Sequence, residues 1–326
     1  MSEVLQALPG EWLAIPEMNR QLRTMWEPGG SAGGAPSEFR ASQMNLLLHL
    51  GPETEPRDAR ARFDEAIVFS QRYPCRIIVL CADADEPVRE RVGGKLFAQC
   101  YIGETPRTMC CCEALAVAFD PAEAAAVFNQ VSTWIESDLP SLLWLHRIDP
   151  KSLVPYLPAL AARMRRILYD RSVEGKAVEE LPRPGGVRWS DLAEARTLPL
   201  RQSLGQYLSC FPPGELAGQG RAIAAEHGPG LAGEAHALAS WMADCLEEAA
   251  GGDRPATEVR PAGTDRVLAV EWRDAAGERT LAFRADLGRG QGTVEARWAG
   301  ENGPAGHTFV VDLLGPRETL GEAIFF

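Results

Sequence analysis

The sequence predicts an α/β chain, with a Rossmann-like N-terminal domain on a mixed sheet and an α+β C-terminal domain that ends in an antiparallel meander. Three observations lead there. Between residues 44 and 170, short apolar runs alternate with stretches whose apolar residues recur at three- and four-residue steps, the pattern of buried strands separated by amphipathic helices. After residue 265 the runs alternate faces residue by residue, as strands with one solvated side do. The 326 residues also exceed the roughly 100 to 200 usual for one domain. On this reading the chain divides into an arm at 1–43, the Rossmann-like domain at 44–195 and the C-terminal domain at 196–326.

Residues 1–43 hold a short apolar opening and then EPGGSAGGAPS, residues 27–37, whose glycines and small polar residues favour a flexible loop. MNLLLHL, residues 44–50, closed by Gly51 and Pro52, reads as the first buried strand. From Asp58 to Tyr73, Ala59, Phe63, Ala66, Ile67 and Ser70 form one helical stripe, which Pro74 stops. CRIIVLC, residues 75–81, is a short β-branched run suited to a parallel strand buried on both faces. Residues 95–103 and 107–119 suit an antiparallel pair at the sheet's edge. Asp120, Pro121 and Glu123 supply an N-cap, a first-turn proline and a capping glutamate for a helix with the stripe Ala124, Val127, Phe128, Val131, Trp134 and Ile135. SLLWL then reads as a buried strand with His146 and Arg147 at its carboxyl end, and a helix near 152–163 and the strand RILYD complete the alternation.

In the C-terminal part, Leu198, Leu200, Leu204, Tyr207, Leu208 and Phe211 mark a helix that Pro212 and Pro213 end. A long helix over 231–249 buries Leu231, Ala235, Leu238, Met242, Cys245 and Leu246. RVLAVEWR, RTLAFRA, TVEARWA and HTFVVDL form the meander, with turns at Asp274–Gly277 and Gly288–Gly292.

The net charge of -12 and a pI near 5.0 oppose nucleic-acid binding, which needs clustered cations. No apolar run approaches the roughly 18 residues of a membrane span, and the opening MSEVLQALPGEW lacks the basic start of a signal peptide, so the cytoplasm is the expected location. The eight cysteines include no C-x-x-C pair, no H-E-x-x-H helix is present, and no metal or cofactor is expected. Cys110 and Cys112 share a strand face and are the candidate redox pair, beside the plainer role of cysteine as a small hydrophobe. The glycines 288, 290 and 292 lead into a strand and suit a hairpin turn rather than a phosphate loop. Arg72, Tyr73, Pro74 and Arg76 flank the turn from the first helix into the second buried strand; arginine there suits either an anion or the turn's own carbonyls and carboxylates.

With no complete catalytic motif in view, the ordered set MNLLLHL, YPCRIIVL, DLPSLLWL, RRILYD and DLAEARTLPLR resembles the OpcA family, the glucose-6-phosphate dehydrogenase assembly proteins, over about residues 40–215. Asp191, Arg196, Pro199 and Arg201 match the pattern, as do Pro74, Arg76, Pro140 and Trp144, whereas Leu145, Glu194 and Leu200 stand where relatives often carry tryptophan. The resemblance implies a noncatalytic assembly factor and allosteric activator that binds the dehydrogenase and promotes its active oligomer in the oxidative pentose phosphate pathway. It implies thiol-linked regulation in some members as well. Candidate partner-binding residues are Arg72, Tyr73, Pro74, Arg76, His146, Arg147, Asp191, Arg196 and Arg201. The alternative is a sugar-phosphate- or nucleotide-binding enzyme that uses Arg76, His146 or Arg147 at the carboxyl edge of the sheet.

Overall fold

A computed structural model describes residues 2–24, 42–82, 93–101, 110–210, 221–250, 253–296 and 305–326. The chain forms two compact units, one of Met1–Tyr169, Lys176–Ser190 and Ala323–Phe326, the other of Asp170–Gly175 and Asp191–Glu322. The expected boundary at 195/196 thus gives way to an exchange of short segments, with 170–175 and 191–195 grouped with the second unit and 323–326 with the first.

The first unit is built on β1 (Glu11–Ala14), β2 (Met44–Leu50), β3 (Cys75–Ala82), β4 (Gly93–Tyr101), β5 (Cys110–Phe119), β6 (Ser141–His146), β7 (Arg166–Tyr169) and β8 (Arg188–Asp191), in the order β1-β4-β5-β3-β2-β6-β7-β8. From β5 through β3, β2 and β6 to β7 the neighbours run parallel, while β4 pairs antiparallel with β5. Every residue of β2, β3, β6 and β7 is buried, which is why their sequences read as unbroken apolar runs rather than alternating ones. The helices that cover them include α3 (Pro56–Arg72) and α4 (Ala124–Trp134). Asp120 caps a 3₁₀ turn at Pro121–Glu123 that leads into α4, accepting from the Ala122 amide at 2.9 Å.

The opening residues are more than an arm. They form α1 (Glu3–Ala7), β1 and α2 (Ile15–Thr24), and β1 extends the sheet antiparallel to β4 with Glu11 opposite Leu96. Leu5, Leu8 and Met18 are fully buried, and Lys95 ties the segment down by donating to the carbonyls of Gln6 at 2.8 Å and Leu8 at 2.5 Å. α1 and β1 are too short for a periodic pattern to show, whereas α2 carries Ile15, Met18 and Leu22 at helical spacing, a stripe the sequence already held. The predicted loop at 27–37 lies outside the described residues.

The second unit holds α7 (Arg171–Glu174), α8 (Leu192–Arg196), α9 (Leu198–Leu208) and α10 (Ala232–Ala250), numbered after α5 (Pro150–Leu153) and α6 (Leu157–Ala161) of the first. Its sheet runs β10 (Ala256–Pro261), β9 (Ala222–His227), β11 (Val267–Arg273), β12 (Arg279–Asp286), β13 (Gln291–Ala296) and β14 (Ala305–Val310). Consecutive strands from β11 to β14 pair antiparallel, and β9 pairs parallel with β10, so this sheet is mixed as well. One face carries Ile223, Leu268, Val270, Trp272, Leu281, Phe283 and Val294 into a core with Leu238 and Met242 of α10. Cys245, expected in that helix's buried stripe, is exposed, while Leu246 is buried as expected and Ala239 and Ala243 join the seam. The turn at 288–292 joins β12 to β13, with Asp286 accepting from the amides of Gly288 and Arg289 and Gly290 at φ 66°. α11 (Pro316–Phe325) closes the described chain.

An ionic network organises the amino-terminal half of this unit. The Arg196 guanidinium donates to both carboxylate oxygens of Asp170, at 2.8 and 2.7 Å, and to Glu234 at 2.6 Å, and all three side chains are largely buried. Asp170 also caps α7 through the Ser172 amide, while the Ser172 hydroxyl donates to Glu234. Asp191 caps α8, accepting from the amides of Arg171 and Ala193 on one oxygen. Burial pushes its carboxyl up to about 6, against the pull of those two amides.

Two outcomes follow from this network. Arg196→Ala leaves two buried carboxylates without their cation and should lower the unfolding free energy by about 3–5 kcal/mol in urea titrations; a loss below about 1 kcal/mol contradicts the clamp. For Asp191 the folded pKa lies above the ordinary 3.8, so its favourable contribution is full below about pH 4 and is lost as pH rises through about 6. Asp191→Asn keeps the accepting oxygen and removes the charge, so its stability relative to wild type should rise across that window by about 2–3 kcal/mol, and a flat difference would refute the assignment.

Candidate partner-binding surface

In the parallel part of the first sheet, β2 lies between β3 and β6, and the direction of strand addition reverses there. Open α/β sheets bind ligands outside the carboxyl ends of the strands at this kind of switch. Here the chain fills the position itself. Leu50 stands in register with His146, and Asp58, in the first turn of α3, accepts from His146 Nε2 at 2.7 Å and from Arg147 Nε at 3.0 Å. Arg62 stands 3.7 Å from the same carboxylate. A helix N-terminus favours an anion, and Asp58 supplies it from within, with Glu55 at the N-cap adding a second negative charge. Burial opposes ionisation of Asp58, yet the hydrogen bonds from His146 and Arg147 outweigh it and hold the carboxyl below its usual range. Burial holds the His146 imidazole low despite the carboxylate.

The backbone at this edge is tightly fitted. Among the described residues Arg147 is the one non-glycine with positive φ, at 53°, and the Gly51 amide donates to the His146 carbonyl at 2.8 Å. A Cβ on Gly51 would stand 1.8 Å from the Arg147 carbonyl oxygen, so only glycine fits.

At the opposite edge, α3 ends at Arg72 and the Tyr73 amide caps it by donating to Phe69 O at 3.1 Å. Pro74 ends the helix, and its carbonyl accepts from Gln43 at 2.8 Å. The Tyr73 ring packs between Phe69, at 5.0 Å between centroids, and Phe325, at 4.7 Å, and the Arg72 guanidinium lies 5.4 Å from its centre. Val68, one turn before Arg72, is 41% exposed, Phe325 44% and Phe326 81%. The Phe326 carbonyl accepts from Arg188 at 3.3 Å, and Arg166 donates to the carbonyl of Ala323. An exposed arginine and two exposed phenylalanines around a half-buried tyrosine have the aromatic and arginine composition enriched at interfaces.

The remaining predicted residues face inward. Arg76 is buried, donating to Glu113 directly opposite it on β5, to the Trp134 carbonyl at 2.5 Å and to Glu136, 2.7 Å away. Asp191 and Arg196 belong to the buried network of the second unit, and the mostly buried Arg201 donates to the Glu194 carbonyl at 3.3 Å. Cys112 is buried, and the side chain of Cys110 lies outside the described residues. The structure therefore brings Arg72 and Tyr73 together at one edge of the first unit and His146 and Arg147 at the other. Val68, Phe325 and Phe326 were not singled out in the sequence; Val68 was legible from its four-residue spacing to Arg72, while the two phenylalanines join the patch only through folding. No group of three or more metal-ligating side chains occurs among the described residues, nor any helix long and apolar enough to cross a membrane.

Residues 66–183 match the family model described as "Glucose-6-phosphate dehydrogenase subunit N-terminal domain", so the resemblance to the OpcA family holds over that stretch. No curated protein matches the chain. Among solved structures, one titled "Glucose-6-phosphate dehydrogenase in complex with its substrate glucose-6-phosphate" aligns over 87% of this chain and 86% of its own, at 7% identity and a TM-score of 0.41, too distant to support any inference.

Gly51→Ala should cost about 2–4 kcal/mol in a denaturant titration because a backbone carbonyl must move, while Gly185→Ala, with open space around its Cβ, should stay within about 0.5 kcal/mol. Equal effects of the two would contradict the close approach of Gly51 to Arg147.

Proposed function

We propose that this chain is a noncatalytic partner of glucose-6-phosphate dehydrogenase that promotes its active oligomer and raises its activity. The observation that carries the reading is the family match over residues 66–183, a stretch that includes Arg72 and Tyr73 at the end of α3 and most of the parallel sheet. The match concerns a dehydrogenase subunit family; the assembly role and the direction of the effect are inferred from the resemblance.

The sheet supports a noncatalytic role in a second way. Taken in chain order, its parallel strands run 3-2-1-4-5, the order of doubly wound dinucleotide folds, and we read the unit as Rossmann-like. The segment after β2 is GPETEP in place of a glycine-rich phosphate loop, and a phosphate brought to α3 would meet Glu55 and Asp58. Arg147, with its side chain 47% exposed, favours the alternative of a sugar-phosphate or nucleotide site, but its guanidinium already donates to Asp58. The dehydrogenase would supply the chemistry and this chain a surface. The patch of Val68, Arg72, Tyr73, Phe325 and Phe326 is the surface we assign to it, in the cytoplasm where the enzyme works.

Affinity measurements with the dehydrogenase of the same organism test the reading. Arg72→Glu and Tyr73→Ala should each weaken binding about 10- to 100-fold with little change in the fold of this chain. Unchanged affinity removes the patch from the interface. Absence of both binding and any effect on the enzyme's oligomeric state or rate overturns the function.

A further inference from the structure

Among the described residues each sheet ends in two edge strands, and three of those four edges carry the features that discourage pairing with another chain. β1 has four residues and includes Glu11, and β8 has four and includes Arg188 and Asp191. β10 presents Glu258 and Arg260, the latter held by Glu226 at 2.6 Å, and ends at Pro261. β14 differs from all three. Its residues AGHTFV contain no charge and no proline, it is the last strand of its sheet, and no described strand pairs with its outer side. Gly306, His307 and Thr308 are exposed, and Val310 is 85% exposed.

The side chains of β14 are arranged in a way that suits one occupant. Phe309 and His307 lie on the core face, stacked at 6.3 Å between centroids, and Phe309 stacks in turn on Phe283 at 5.9 Å. Phe309 also lies over Gly292, its register partner on β13, so an aromatic ring already covers a glycine across one strand pair. Thr308 and Val310 project from the other face, where Thr308 pairs with Thr293.

We propose that β14 pairs antiparallel with β14 of a second copy of this chain about a twofold axis through Thr308. That axis keeps the two core faces on the same side. It sets Thr308 opposite its own counterpart, His307 opposite Phe309 and Gly306 opposite Val310, each of the last two pairs occurring twice. The aromatic row of Phe283, Phe309 and His307 then continues into the second copy, and each valine covers a glycine. A chain of net charge -12 repels its own copies over most of its surface, and an uncharged strand is a seam where two can meet. An extended segment of another protein could form the same backbone bonds, but it would not match these side chains as the strand matches itself. The inference is independent of the dehydrogenase.

Sedimentation equilibrium of the full chain across the micromolar range tests it. Wild type should show a species of twice the 35.5 kDa chain mass in equilibrium with monomer. Thr308→Lys sets two ammonium groups opposite each other, and either it or Val310→Lys should raise the dimer dissociation constant at least about tenfold with an unchanged circular dichroism spectrum. Mixing Thr308→Lys with Thr308→Glu should restore the dimer. A wild-type chain that stays monomeric throughout overturns the proposal, as does a dimer that withstands both lysine variants. Loss of dehydrogenase binding in Thr308→Lys, with wild type monomeric, would also overturn it and assign the edge to that partner instead.

Discussion

A carboxylate at the amino end of α3 sets the terms for the first unit. Asp58 lies in the first turn of α3, beyond the carboxyl ends of the paired strands β2 and β6, and it draws in His146 and Arg147 from the end of β6. Charge-assisted hydrogen bonds of this kind contribute about 1.5–3 kcal/mol each when partly buried, more than an exposed ion pair. The geometry they impose reaches the backbone, since Arg147 takes a left-handed conformation and its carbonyl leaves room only for glycine at position 51. Asp58 thus places the chain's own anion at a helix end and strand edge where open α/β sheets commonly bind anionic ligands.

Arginine has two distinct uses in this chain. Arg76 is buried and Arg196 largely so, and each joins two carboxylates, Glu113 and Glu136 in one unit, Asp170 and Glu234 in the other. A planar guanidinium serves several acceptors at once, and removal of such a cation leaves its partners unpaired in a poorly solvated site. The motif residues Arg76, Asp191 and Arg196 are thus explained by folding. Arg72, four residues before Arg76, lies exposed over an aromatic ring.

The difference between Arg72 and Arg76 shows where the sequence stops being informative. Both flank one proline, but Arg72 ends a helix and Arg76 falls in a strand that reads as buried on both faces; what the sequence does not reveal is the partner, Glu113, which reaches Arg76 only because β5 pairs beside β3. The doubly buried strands were legible because burial on both faces demands continuous apolar residues, and the stripes of α3 and α4 were legible by their period. β1 and α1 escaped notice because four or five residues hold too little pattern, and β9 and β10 because alanine, glutamate and arginine carry little strand preference. The aromatic patch was half visible, with Tyr73 in the turn and Phe325 supplied from 252 positions further along the chain.

The claim that the sheet's switch point is closed by the chain's own charges is tested most directly by isothermal titration of the isolated chain with glucose-6-phosphate and with a phosphorylated nicotinamide dinucleotide. The account predicts no saturable heat with either ligand. Saturable binding that Arg147→Ala abolishes would contradict it, because the crevice would then hold a ligand that Asp58 fails to exclude.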